Sequence, residues 1–284
     1  MSDDQTPERQ HALTPAQRFH LEVNGYVVVE DVLGADEISR MLEAMQRLKC
    51  EFLASDDLTH TTIRRSSVKS DSQPNHLHFT RILETDPAIL EYLAHPRVVA
   101  LAEELTGGAV CLEESEAVIN SRTPGSEIPD PPRFGFHKGA SHGFATHTEN
   151  GLFHCVFVKV LTNLTDLGPD DGGTTVIAGS HKLSLPADQI IAAAYQDPSL
   201  IHTITAPAGS AVLFPETLIH ATGINSSMNE RCILIGGYTP TMFKVWPGQE
   251  PSAGFIESLP DDLHQLITGS QSWNGARNAR PSLA

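Results

Sequence analysis

The chain has 284 residues, 40% of them hydrophobic and 19% charged, with a formal net charge of -16. That size and balance suit one elaborated globular domain or two small ones and exclude global disorder. The acidic excess excludes a nucleic-acid partner, which needs basic side chains to neutralise phosphates, and disfavours an anionic membrane surface.

Residues 1–13, opening with MSDDQTPERQ, read as a solvated tail without the apolar core of a signal peptide. The segment FHLEVNGYVVVEDVL (19–33) joins a short helical pattern to a strand, turning at Asn24-Gly25. In ADEISRMLEAMQRLKCEFL (35–53) the residues Ile38, Met41, Leu42, Met45 and Leu48 share one helical face, and acidic residues near Asp36 open the helix. Residues 55–76 are polar and irregular. A second helical stretch, 86–108, is interrupted near Pro96 and stopped by Gly107-Gly108. The apolar stripes of both stretches are core-facing.

From about residue 109 the texture changes. AVCLEESEAVIN, LFHCVFVKVLTNL, GTTVIAG, LIHTITA, SAVLFP and RCILIGGYT are short runs rich in Val, Ile, Thr and Phe, parted by Gly, Pro, Asn and Asp. This is the pattern of an antiparallel sandwich or barrel. A short helix is expected at 187–195, and QSWNGARNARPSLA reads as a loosely held tail. The expected protein is mainly β with flanking helices: a helical buttress over about 14–108, a β core over about 109–245, one domain spanning 14–268, and a tail over 269–284. Cys50, Cys111, Cys155 and Cys232 are scattered without a CxxC pair, which points to reduced thiols and a cytoplasmic location. No run approaches the length of a membrane span.

Four pieces in order, NGYVVVEDVLGADEISRM, LEYLAHPRVVALAEELTG, LTDLGPDDGGTTVIAGSHK and GSAVLFPETLIHATGINSSMNERCILIGGYTP, carry a resemblance. Over roughly residues 18–240 the chain resembles the phytanoyl-CoA dioxygenase (PhyH-like) branch of the iron(II)/2-oxoglutarate oxygenases. The resemblance implies a double-stranded β-helix, a cupin-like jelly roll with the metal at its open mouth. It also implies Fe(II), 2-oxoglutarate as cosubstrate, O2, and a small-molecule substrate whose unactivated C–H bond is hydroxylated with release of succinate and CO2.

Such a centre takes two histidines and usually a carboxylate, in the order H-x-D/E…H, leaving the opposite face open. His220, after the strand SAVLFP, falls where the family has its distal histidine. Arg231, eleven residues later, opens an apolar strand where the family anchors the far carboxylate of 2-oxoglutarate, a task suited to a guanidinium fork. The alternatives are a loop-capping histidine and a surface arginine. Asn120 and Arg122 resemble the strand ahead of the metal motif that helps hold the cosubstrate.

The proximal ligand has two candidates. His137, in FHKG, resembles H-x-D with Gly139 in the third place; His147-Thr148-Glu149 is a complete H-x-E. The second runs straight into Asn150-Gly151, a hairpin signal. The family's ectoine hydroxylase pattern has a similar turn after its metal motif, and aligning on it carries the histidine back to His137, with His147 and Glu149 as the rival pair. His137, Gly139 and His220 are then the expected reacting centre. If Gly139 leaves a coordination place open, chloride could fill it, as in related radical halogenases, or a carboxylate from elsewhere could reach in, Glu149 being the nearest in sequence. A third reading is a jelly-roll binding protein without catalysis. Lys138 should point away from the metal. His181, in GSHK, is expected to be structural or substrate-side rather than a ligand, and His142, His147 and His154 to lie around the hairpin.

Overall fold

The computed structural model of the protein describes residues 11–54, 76–243 and 250–270. The polar stretch 55–75 and most of both expected tails lie outside the described residues. Residues 11–13, expected in the N-terminal tail, are held: Leu13 is buried and the Ala12 N–H donates to the Glu104 carboxylate at 3.0 Å.

Local chemistry sets the helix ends. Helix α1 (Pro15–Asn24) starts at Thr14, whose hydroxyl accepts from the Gln17 N–H while the Gln17 amide oxygen accepts from the Thr14 N–H. It stops at Gly25, whose φ of 83° suits glycine, before strand β1 (Val27–Val29). Helix α2 (Ala35–Ala54) buries Met41, Met45 and Leu48, while Ile38 and Leu42 of the expected face pack at its margin. Strand β2 (His76–Thr80) begins where the sequence read as irregular. The stretch 86–108 is two helices, α3 (Pro87–Leu93) and α4 (Pro96–Thr106). Pro96 supplies no N–H and disfavours helical backbone at His95, so the chain restarts there.

The strand-rich half follows the expected runs: β3 (Val110–Asn120), a short helix α5 (His142–Ala145), β4 (Thr146–Glu149), β5 (Leu152–Cys155), β6 (Val158–Asn163), β7 (Thr175–Ile177), helix α6 (Ala187–Gln196), β8 (Ile201–Thr203), β9 (Ala211–Pro215), β10 (His220–Ala221) and β11 (Arg231–Pro240). The run at 152–164 is two strands rather than one. Beyond the expected core lie two helices not anticipated from sequence, α7 (Ala253–Ser258) and α8 (Asp261–Thr268), with α8 against β3.

Six strands form one sheet in the order β1-β9-β6-β11-β3-β2, and three form a second in the order β10-β7-β8. All pairings are antiparallel. Alternation on β11 divides the two faces of the large sheet. Cys232 and Leu234 join the cluster that includes Met41, Val99 and Leu105 of the helices, whereas Ile233 joins Val118, Leu161, Val176 and Phe214 between the sheets. The protein is therefore a jelly roll with helices covering the outer face of its large sheet. Among the described residues no helix is long and apolar enough to cross a membrane. All four cysteines are free thiols.

Candidate metal centre

Between the sheets lies a cavity of about 550 Å³. Strand alternation decides which side chains reach it. Arg231, Ile233 and Ile235 come from β11, Lys159 and Leu161 from β6, His76 and His78 from β2, and Glu116 and Val118 from β3. At one point the alternation breaks. Gly237 pairs with Glu114 but Tyr238 pairs with Leu112, so Glu113 is bulged out of the ladder and both Glu113 and Glu114 line the cavity.

His137 and His220 meet at the cavity mouth. Each donates its backbone N–H to the other's carbonyl at 2.9 Å, an antiparallel bridge that adds residue 137 to the free edge of β10. Residues directly opposite in such a bridge present their side chains on one face, and the two ring centroids are 4.3 Å apart. His137 Nδ1 donates to the Gly135 carbonyl at 3.1 Å, and His220 Nδ1 donates to the Leu218 carbonyl at 2.9 Å. Because a carbonyl only accepts, each Nδ1 is a protonated nitrogen, and in the neutral ring this leaves Nε2 as the one with a free lone pair, the tautomer a metal requires. Burial pushes the His220 imidazole down to about 4, with Glu216 opposing the shift and His137 adding to it, so the ring is neutral near pH 7.

Gly139 follows two residues after His137, and its N–H donates to the Glu216 carbonyl at 3.0 Å. A Cβ placed on Gly139 would lie 1.6 Å from Glu216 Oε2 and 2.7 Å from its Cδ. The carboxylate that stands beside Gly139 is that of Glu216, not Glu149. Glu149 sits on the separate β4–β5 hairpin, whose turn residues Asn150 and Gly151 have φ of 51° and 78°. His147 stacks on His154 in that hairpin, ring centroids 5.2 Å apart, and neither His147 nor Glu149 lines the cavity.

Arg231 is 1% exposed and lies in the cavity wall. Its guanidinium donates to Asn120 Oδ1 at 3.3 Å and to Thr174 Oγ1 at 3.4 Å, while Nε has no partner. Both partners are neutral, and burial pulls the guanidinium down to about 10. A buried cation with only neutral partners is costly unless an anion joins it. Asn120 stands opposite Arg231 in the β3–β11 ladder and orients it, without itself lining the cavity. Arg122 turns elsewhere, donating to the carbonyls of Ser126 and Ser226.

His181 is fully buried, edge-on to Phe153 and under Gly25, where a Cβ would come within 2.4 Å of its ring. It lines no part of the cavity, which leaves the structural half of its expected role and removes the substrate-side half. His142 accepts its place through His181, donating from Nδ1 to that residue's carbonyl at 3.0 Å. Lys138, as expected, is not among the cavity residues.

Sequence reasoning missed Glu216, Lys159, His76, His78 and the glutamates of β3. The alternating His76-Leu-His78-Phe pattern was a usable strand signal, but membership of the cavity depends on pairing partners far along the chain.

Two tautomer-fixed imidazoles, a carboxylate beside them and a buried guanidinium on the same cavity fit a divalent metal together with an anionic ligand. Among the described residues no three His, Cys, Asp or Glu side chains stand together as a group that could hold a metal ion; the paired imidazoles of His137 and His220 are the part of such a set that is in place.

A jelly roll with a histidine pair at the mouth of its cavity defines the class of protein. The phytanoyl-CoA dioxygenase (PhyH) family model matches residues 21–233, and the chain belongs to that family. It is 24% identical over 247 residues to the ectoine dioxygenase of Streptomyces avermitilis, covering 78% of this chain and 76% of that one. In fold it is similar to HygX from Streptomyces hygroscopicus, solved with nickel and 2-oxoglutarate bound, with a TM-score of 0.64 and 19% identity over 82% of this chain and 90% of that one. It is also similar to the non-heme alpha ketoglutarate dependent epimerase SnoN from nogalamycin biosynthesis, with a TM-score of 0.60 and 21% identity over 95% and 94% of the two chains.

Proposed function

We propose that the protein is an iron(II)/2-oxoglutarate-dependent oxygenase that hydroxylates a C–H bond of a small molecule. The observation that carries this reading is the His137–His220 pair sharing a cavity with Arg231, a buried guanidinium whose partners are neutral. When bound, the iron with 2-oxoglutarate and O2 supplies the oxidising equivalents, and the cosubstrate leaves as succinate and CO2.

The chain's own residues hold and aim these groups. His137 and His220 offer Nε2 to the metal, their rings fixed by the Gly135 and Leu218 carbonyls. Arg231 supplies a two-pronged cationic seat for the far carboxylate of the cosubstrate, with Asn120 and Thr174 steadying the guanidinium. The space of about 550 Å³ has the size of a small-molecule site, and its mixture of His, Glu and Lys with Ile, Leu and Phe suits a polar substrate. A small substrate also agrees with the compound named for the ectoine dioxygenase relative.

Halide transfer is the second reading, motivated by Gly139. The carboxylate of Glu216 in that space favours hydroxylation over it. Succinate formation tests the oxygenase reading. After anaerobic reconstitution with Fe(II), the protein should release succinate from 2-oxoglutarate in the presence of O2, and His220→Ala should not. A chain that takes up Fe(II) and 2-oxoglutarate yet makes no succinate with or without candidate substrates, including ectoine-like and amino-acid compounds, would leave a binding protein instead. Mass spectrometry of products formed with and without chloride separates hydroxylation from halogenation.

A further inference from the structure

We infer that Glu216 is the carboxylate ligand of the metal, supplied from the loop after β9 into the place that position 139 leaves empty. The inference rests on the reading of His137 and His220 as the metal's imidazoles, and it adds a ligand that neither the H-x-D/E pattern nor the rival H-x-E motif contains.

Three observations carry it. Gly139 does not have a positive φ, so its backbone does not call for glycine; what a side chain there would strike is the Glu216 carboxylate, 1.6 Å from the Cβ position. The Glu216 carboxylate and a side chain at position 139 therefore compete for one volume, and only one of them can occupy it. Second, the backbone holds them in register: the Gly139 and Ala140 N–H groups both donate to the Glu216 carbonyl, at 3.0 and 3.1 Å. The carboxylate is thereby tied to the strand segment that carries His137. Third, the Glu216 side chain is 11% exposed and its Oε1 makes no hydrogen bond.

A buried carboxylate in that state needs a cation. Lys159 serves it incompletely, at 3.8 Å, because its ammonium is in closer contact with Glu114. The three side chains do not stand as a metal-holding group as they are, so the inference requires the Glu216 side chain to turn toward the two imidazoles when the metal binds. With Glu216 bound, the protein set is two histidines and one carboxylate, and no halide is required to complete it.

The test is anaerobic calorimetry of Fe(II) binding to the full chain, in chloride-free buffer and again with chloride. Folding of each variant is checked by far-ultraviolet circular dichroism. Glu216→Ala and the isosteric Glu216→Gln should each weaken Fe(II) binding by about tenfold or more, a loss at least equal to that for disturbing a ligand's support. Chloride should leave the wild type unchanged and partly restore Glu216→Ala. The double variant Gly139→Asp/Glu216→Ala, which moves the carboxylate back to the H-x-D position, should recover most of the lost affinity.

The inference is overturned if both Glu216 variants bind Fe(II) as tightly as the wild type, if the wild type itself needs chloride, or if the double variant is no better than Glu216→Ala. Failure of the underlying reading looks different: His137→Ala and His220→Ala would then bind Fe(II) like the wild type, or the wild type would not bind it at all, and both ideas would fall together.

Discussion

The carboxylate of Glu216 occupies the volume that any side chain at Gly139 would need, with Oε2 1.6 Å from where a Cβ would stand. The atom in the way is the far end of a flexible side chain, so an added methyl group is accommodated by turning the carboxylate out. Gly139→Ala should therefore fold with a cost near the low end of the roughly 1–3 kcal/mol typical of overpacking. Fe(II) affinity should fall with it, by an amount close to that of Glu216→Ala. Because both changes remove the same carboxylate from the same place, their effects in a double-mutant cycle should not add. Additive losses in calorimetric Fe(II) titrations would show that the two positions act separately.

Arg231 gives a second expectation. Arg231→Met replaces a buried guanidinium that has only neutral partners with an apolar side chain of similar length, so the ligand-free protein should lose little stability and could gain some. The response to 2-oxoglutarate should vanish. In metal-loaded wild type, cosubstrate at a hundred times its Kd should stabilise by about 2.7 kcal/mol, visible as a rise in Tm. An equal rise in the variant would remove Arg231 from its role as anchor.

His181 sets a pH dependence of stability. Burial first, and Lys182 next, push its imidazole from 6.5 down to about 4, while Glu22 opposes them. The folded state then binds fewer protons than the unfolded state between those values. Its contribution is present above about pH 6.5 and is lost as pH falls toward about 4. Between about pH 7.5 and about pH 5 the loss should be on the order of 2 kcal/mol. His181→Leu, which cannot titrate, should show a flatter fall in urea midpoint over that interval. Parallel curves for the two proteins would contradict the shift.

Much of the frame could be read from sequence because short-range chemistry sets it. Pro96 and Gly107 divide and end the second helical stretch, and Asn150-Gly151 makes the hairpin where the pair pattern places it. The family resemblance points to His137, His220 and Arg231, and the structure brings them to one cavity. Glu216 was not, since nothing near PET marks it. Its meaning arises only when the bridge of His137 to His220 lays residue 139 against residue 216. Glu113 was hidden for a similar reason: a bulge reverses the face that strict alternation would assign. His76 and His78 fell at the margin of a polar stretch and became cavity residues through pairing with β3. Helices α7 and α8 escaped notice because they are short and follow the strand pattern's end.

The most direct measurement of the account is the iron content of three proteins after anaerobic reconstitution with Fe(II) and removal of unbound metal. The geometry pairs His137 with His220 on the cavity and leaves His147 stacked on His154 in a separate hairpin. The wild type and His147→Ala should each retain close to one iron per chain, and His137→Ala should retain almost none. Iron lost from His147→Ala and kept by His137→Ala would contradict the account and move the metal to the hairpin.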